Sequence, residues 1–108
     1  GEVVSPVGRV RTTPADGTIR PLRFGVASCA NYEQGLFTAY EQLALERCDL
    51  VTHLGDYIYE YSARDGQLRR HHGFEISSVE DYRNRYAQYK LDPALQAAHA
   101  MCPWLVTW

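Results

Sequence analysis

The stretch Thr52–Tyr61, THLGDYIYEY, carries the end of an apolar strand straight into a turn with an acidic and a phenolic side chain. Asp56 follows Gly55 in that turn, and Tyr59 stands three residues later. Open α/β sheets bind ligands and metals at the carboxyl ends of their strands. Carboxylate and phenolate oxygens suit a hard cation such as ferric iron or calcium. The stretch therefore predicts a metal site at one edge of a sheet.

The residues on either side of this turn predict a strand–helix–strand unit. Residues 22–27 alternate apolar side chains as a strand does, residues 35–47 place apolar side chains at helical spacing, and residues 50–54 form a second strand. Two strands joined by a helical crossover run parallel, so their carboxyl ends meet at one edge. Because Cys29 follows the first strand and Asp56 follows the second, we expect these two side chains to lie close together.

Two further helices and a third strand are predicted beyond this unit. Ser77 and Glu80 have the spacing of a capping box in which Ser77 is the N-cap. Asp92–Pro93 has the composition of another helix start, an acidic cap followed by proline at the first helical position. The predicted elements are a helix over residues 78–90, a helix from residue 93 that Pro103 ends, and a strand over residues 104–108.

Most other reactive side chains have a structural interpretation. A histidine inside a strand is typical of a packed core, and free cysteine often behaves as a small hydrophobic residue. Asparagine in a loop commonly bonds its own backbone. The residues interpreted in this way are His53 in the core, His71 and His72 in an exposed loop over residues 62–76, Cys48 and Cys102 as structural thiols, Asn31 as a turn residue, and Tyr82, Tyr86 and Tyr89 as an aromatic stripe in the core.

Cys29 leaves more than one function open. It is a metal ligand if it joins Asp56 and Tyr59, and a nucleophile if a histidine or a helix N-terminus lowers the pKa of its thiol. The residues therefore allow a metal-dependent enzyme or a thiol hydrolase that uses Cys29. They also allow a non-catalytic βαβ binding or scaffold domain in which Asp56 and Tyr59 are only turn and core residues.

Composition narrows the class of protein. The 108 residues are 45% hydrophobic and 22% charged, values near the globular average, so an ordered domain is predicted. A net charge of -2 gives no signature of nucleic-acid binding. No apolar run is long enough to span a membrane. There are three cysteines, none in a CxxC arrangement, which argues against a complete disulfide framework and against a zinc ribbon.

The two strand ends together resemble a known family. Arg23–Gly35, RFGVASCANYEQG, followed by His53–Tyr61, HLGDYIYEY, is similar to the PhoD-like alkaline phosphatases and phosphodiesterases. Shorter matches occur in the family's order and extend the resemblance over nearly the whole chain. These matches are Ser5–Arg9, Glu80–Arg83, and Asp92–Pro93 onward through Pro103–Trp104.

The resemblance implies a fold and a domain organisation. The implied fold is α/β (α+β), part of a calcineurin-like metallophosphatase β-sandwich with flanking helices and a βαβ unit at its start. Residues 1–20 would be the last strand of a preceding immunoglobulin-like β domain and a linker. Residues 21–108 would be the N-terminal part of the metallophosphatase domain, with further ligands beyond Trp108.

The resemblance also implies a chemistry. Cys29, Asp56 and Tyr59 would hold a ferric ion, and Asp56 would also bridge to a calcium ion and so act in catalysis. A metal-activated hydroxide would then hydrolyse phosphate monoesters or diesters, and the 108 residues alone are expected to be inactive. The family is usually exported, which implies a periplasmic or secreted location. The expected partner is the phosphate ester substrate, and the oligomeric state is not predicted.

Overall fold

A computed structural model describes residues 1–108 as one three-stranded parallel sheet with three helices. The strands lie in chain order, β1-β2-β3, and both pairs are parallel. The mixed α/β fold and its opening βαβ unit are therefore confirmed. The elements are β1 (Phe24–Ala27), α1 (Thr38–Leu45), β2 (Leu50–His53), α2 (Val79–Lys90), α3 (Pro93–Met101) and β3 (Trp104–Val106).

The register of the sheet brings three strand ends into one row. Ala27 of β1 is paired with His53 of β2, and His53 is paired with Val106 of β3. The ladder continues one residue past the first pair, where the Leu54 N–H donates to the Ala27 carbonyl at 2.8 Å. The loops after β1 and β2 consequently leave the sheet side by side, as the sequence predicts.

The core lies between one face of the sheet and the helices α1 and α3. Val51 of β2 is buried, and Gly25 of β1 lies so close to α1 that an added Cβ would be 2.9 Å from a methyl carbon of Leu43. Side chains alternate across a strand, so the opposite face carries Phe24, Val26 and Leu105, each more than half exposed. The sheet thus buries a single face within these residues.

The helix starts agree with the sequence in one case and correct it in another. Asp92 caps α3 as predicted, because its Oδ1 accepts from the N–H groups of Ala94 and Leu95 at 2.9 and 3.1 Å. The predicted capping box of Ser77 and Glu80 is wrong by one residue. Ser78 is the N-cap of α2, and the side chain of Asp81 closes the box.

The first 23 residues contain no helix or strand, so the strand expected within residues 1–20 is not formed here. Residues 15–18 form a turn, since the Thr18 N–H donates to the Ala15 carbonyl at 3.0 Å. Arg11 pairs with Asp49 and ties this segment to the start of β2. The division into an immunoglobulin-like end and a metallophosphatase part stays a prediction. None of the three helices has both the length and the apolar character needed to cross a membrane.

Candidate metal centre

The two loops that leave the sheet side by side turn sharply at the predicted metal ligands Cys29 and Asp56. Cys29 and Asp56 both adopt the left-handed conformation, with φ of 56° and 53°. Such values are uncommon for residues with a side chain and persist where the surrounding structure holds them. Here the Cys29 N–H donates to the Gly55 carbonyl at 3.0 Å, and the Ala30 N–H donates to the Asp56 carbonyl at 2.9 Å. The two turns therefore hold each other.

Gly55 makes the second turn possible. Its φ of 144° is open only to glycine in practice, and an added Cβ would lie 2.9 Å from the carbonyl oxygen of Trp108. The chain after β3 thus passes directly over this turn. In the Gly-Asp pair, Gly55 therefore provides the backbone conformation that the turn requires, and Asp56 provides the carboxylate.

Two of the three predicted ligands, Cys29 and Tyr59, approach one carboxylate oxygen of the third, Asp56. Cys29 Sγ lies 3.6 Å from Asp56 Oδ2, and the Tyr59 hydroxyl donates to the same oxygen at 3.0 Å. The convergence of Cys29 and Asp56 that the parallel strands predict is present, and Tyr59 joins them. Burial, followed by the hydrogen bond to Asp56, raises the pKa of the Tyr59 phenol.

The donor set fits a trivalent cation. A thiolate, a carboxylate and a phenolate together offer three anionic donors, and phenolate and thiolate both serve as iron ligands in proteins. Within residues 1–108 no group of three or more His, Cys, Asp and Glu residues is placed to hold a metal ion. This cluster contains two residues of that kind, and the phenol of Tyr59 supplies the third donor.

Asp56 also faces open space. Its second oxygen, Oδ1, makes no hydrogen bond within the chain, and both bonds from its neighbours end on Oδ2. The residue lines a cleft of about 170 Å³ together with Glu60 and Trp108. One side of the carboxylate is thus engaged with Cys29 and Tyr59, and the other is free for a further ligand.

A nucleophilic role for Cys29 has less support from its surroundings. Cysteine nucleophiles are activated by a neighbouring base that takes the thiol proton, most often histidine. The hydrogen bond of Cys29 runs to the carboxylate of Asp56, and His71 bonds to Tyr61 and Tyr89 instead. The thiol therefore lies in an arrangement of ligand type.

The structure corrects the interpretation of two side chains outside the cluster. His71 was expected in a solvated loop but is only 4% exposed, because its ring packs against both Tyr32 and Tyr89. Tyr82 was expected in the core, but it is 41% exposed. No sequence signal near His71 indicates its burial, since both aromatic neighbours are distant along the chain.

The structural roles predicted for the other side chains agree with the structure. His53 lies 1% exposed inside β2, and the side chain of Asn31 accepts from the N–H groups of Glu33 and Gln34 as a turn residue does. The remaining predicted core side chains are also buried or half-buried. These are Cys48, Cys102, Tyr86 and Tyr89, while His72 is exposed as predicted.

Comparisons with known proteins agree in a single family. A sequence model described as PhoD-like phosphatase matches residues 24–108. Alkaline phosphatase D of Bacillus subtilis (strain 168) is 51% identical over the whole of this chain, which covers 20% of that protein. A solved structure described as that of PhoD matches 96% of this chain with a TM-score of 0.88 and 52% identity, over 21% of its own length. The chain spans about a fifth of both relatives.

Proposed function

The chain belongs to the PhoD-like phosphatase family, and from this we propose that the protein containing it hydrolyses phosphate esters at a metal centre built on Cys29, Asp56 and Tyr59. The observation that carries the proposal is the convergence of a thiol and a phenol on one carboxylate oxygen. A phosphatase is the activity named for the relative from Bacillus subtilis. Activity on diesters as well as monoesters is part of the proposal.

Each of the three residues has its own part in this proposal. Cys29, Tyr59 and Asp56, whose side chains already contact one another, would hold a ferric ion. Asp56 would also hold a calcium ion, as the family resemblance implies. The left-handed turns at Cys29 and Asp56 would fix the direction of both side chains before a cation binds.

The bound cations would supply the positive charge that stabilises the phosphoryl oxygens and would lower the pKa of a bound water. The chain's own contribution is to hold the donors in place. The ester would lie in the cleft beside Asp56. The backbone hydrogen bonds between the two turns would keep Cys29 and Asp56 at a fixed separation. By resemblance to the family, we place the protein in the periplasm or outside the cell.

Replacement of Asp56 by Asn tests the proposal in the full-length protein. The variant keeps the size of the side chain but removes the negative charge that both cations need. We expect iron and calcium contents to fall, and hydrolysis of a phosphate monoester to fall at least about 100-fold. The matched control is Asp65→Asn, which neutralises a carboxylate whose side chain is 96% exposed and whose partner is Arg70.

The alternatives give different results in the same assay. A non-catalytic scaffold domain would keep its folding and binding in Asp56→Asn and would show no hydrolysis to lose. A thiol hydrolase would hydrolyse the ester without added metals and would lose that activity when Cys29 is alkylated, whereas the proposed metal centre, which also uses Cys29, has no activity without the metals. Either result, in protein that remains folded, would contradict the proposed metal centre.

A further inference from the structure

The hydroxyl of Tyr89 lies between the two loops that carry the metal centre. Tyr89 belongs to α2 and is completely buried. Its oxygen accepts from the N–H of Tyr32 and from the N–H of Tyr59, each at 3.3 Å. Tyr32 is in the loop that follows β1 and contains Cys29, whereas Tyr59 is in the loop that follows β2. One side-chain atom is thus shared by both loops.

The hydrogen bonds around His71 fix the direction of the Tyr89 hydroxyl. His71 Nδ1 lies 3.1 Å from the carbonyl oxygen of Tyr61, and a carbonyl can only accept, so Nδ1 carries the proton. In the neutral ring Nε2 is then an acceptor, and the Tyr89 O–H donates to it at 3.2 Å. Both lone pairs of the Tyr89 oxygen remain for the two loop amides. The hydroxyl therefore uses its full bonding capacity.

A second buried residue, Glu33, connects the same hydrogen-bond network to the loop that contains Cys29. Glu33, which is 3% exposed, accepts from the main-chain N–H of His71 at 3.0 Å and from that of Arg64 at 3.2 Å. Arg85, one turn before Tyr89 on α2, donates to the carbonyl oxygens of Tyr59 and Tyr61. The backbone of Tyr59 is consequently held on both sides, because its N–H bonds to Tyr89 and its C=O bonds to Arg85.

We propose that Tyr89 is a positioning residue for the metal centre, because its hydroxyl sets the separation between the loop of Cys29 and the loop of Tyr59. The inference rests on the proposed function, since it concerns the placement of the proposed ligands. Loss of this oxygen would leave the part-buried amides of Tyr32 and Tyr59 without their acceptor, which favours a shift of a loop away from its native place. A ligand set on two separate loops is sensitive to such a shift.

Replacement of Tyr89 by Phe tests this role in the iron-loaded full-length protein. The ring would still pack against Tyr32 and Phe37, so the variant removes mainly the three hydrogen bonds. We expect the visible absorption band of the bound iron to shift and iron loss to a chelator to become about 10- to 100-fold faster. The matched control is Tyr40→Phe, which removes the hydroxyl of another buried tyrosine of the same core that bonds to neither loop.

The outcomes separate the positioning role from the proposed function. An unchanged band and an unchanged rate of iron loss in folded Tyr89→Phe would overturn the positioning role alone. The same shift in Tyr40→Phe would also overturn it, because general loosening of the core would then be the cause. A wild-type protein that binds no iron would overturn the metal centre and the positioning role together.

Hydrogen exchange of the wild-type protein gives a test that does not depend on a variant folding. The amides of Tyr32 and Tyr59 lie in loops, yet their bonds to a buried oxygen should slow exchange by about 100-fold relative to the amide of exposed Gly66. Exchange of all three amides at similar rates would overturn the positioning role.

Discussion

At the scale of single residues, the site depends on two backbone conformations that most side chains avoid. Cys29 and Asp56 take positive φ, and Gly55 takes a φ that other residues rarely adopt. Strain of this kind is typical of functional sites, because it aims side chains in directions that a relaxed strand end does not offer. The reactive groups and the strained backbone are therefore parts of one arrangement.

Replacement of Gly55 by Ala should damage this arrangement more than its small size suggests. The added methyl would approach the Trp108 carbonyl oxygen to 2.9 Å at a φ unsuited to alanine. We expect a loss in the free energy of unfolding of about 1–3 kcal/mol together with a fall in iron content. Chemical denaturation and metal analysis of the full-length protein check both effects.

The control for that variant is Gly35→Ala. No atom lies within 4 Å of a Cβ at this position, and its φ is not in the left-handed range. We therefore expect a change below about 0.5 kcal/mol and a normal iron content. If Gly55→Ala behaved like this control, the account of the second turn would be wrong.

At the scale of elements, α3 is linked to the sheet and to the second site loop through His99. Its ring stacks on Trp104 of β3 at 4.1 Å, and its Nε2 lies 2.7 Å from the Tyr57 hydroxyl. Burial, with Lys90 and His53 nearby, lowers the pKa of His99 to about 4. The folded protein therefore holds this imidazole neutral.

The neutral His99 predicts that stability depends on pH in a defined window. Between the unfolded pKa of about 6.5 and the folded value of about 4, the unfolded chain binds more protons than the folded one, so the free energy of unfolding falls as the pH is lowered. His53 and His71, whose pKa values burial also lowers, act in the same direction. Denaturation at pH 8, 6.5, 5.5 and 4.5 measures the slope.

The variant His99→Gln isolates the contribution of this histidine. It removes the titrating group while keeping a polar side chain, so the stability should vary less with pH below about 6.5 even if the value at pH 8 is lower. A slope equal to that of the wild-type protein would show that His99 does not titrate in this window.

The sequence predicts the elements better than their exact ends. Parallel strands followed from two short apolar runs separated by one helix, and that order alone places Cys29 beside Asp56. The N-cap of α2 was wrong because the pairs Ser77–Glu80 and Ser78–Asp81 have the same spacing. The extended backbone of Ser78 makes Ser78 and Asp81 the capping pair, and the sequence spacing alone cannot distinguish the two pairs.

At the scale of the whole molecule, the sequence could not predict the residues that support the site. Tyr89, His71 and Glu33 belong to three segments that have no periodic relation to one another. Their meeting depends on how α2 packs against both loops, which is a tertiary property. The three proposed ligands were accessible to sequence reasoning because each lies in a loop within six residues of the end of β1 or β2.

The sheet also has an uncovered side at this scale. Phe24, Val26 and Leu105 form an exposed apolar row opposite the face that the helices cover. The β-sandwich implied by the family would cover such a row with a second sheet, and this part of the fold stays a prediction. The proposed metal centre lies at the carboxyl ends of the strands that carry this row.

The visible absorption spectrum of the full-length protein, supplied with iron and calcium, tests the proposed metal centre. It is compared with the spectra of the variants Tyr59→Phe and Tyr61→Phe. Tyr61 stacks on Tyr59 at 6.1 Å but does not bond to Asp56, so it is the matched control. With the proposed metal centre, an iron charge-transfer band is expected that is lost or shifted in Tyr59→Phe and retained in Tyr61→Phe. A folded protein that stays colourless and free of metal, or a band that Tyr59→Phe leaves unchanged, would contradict it.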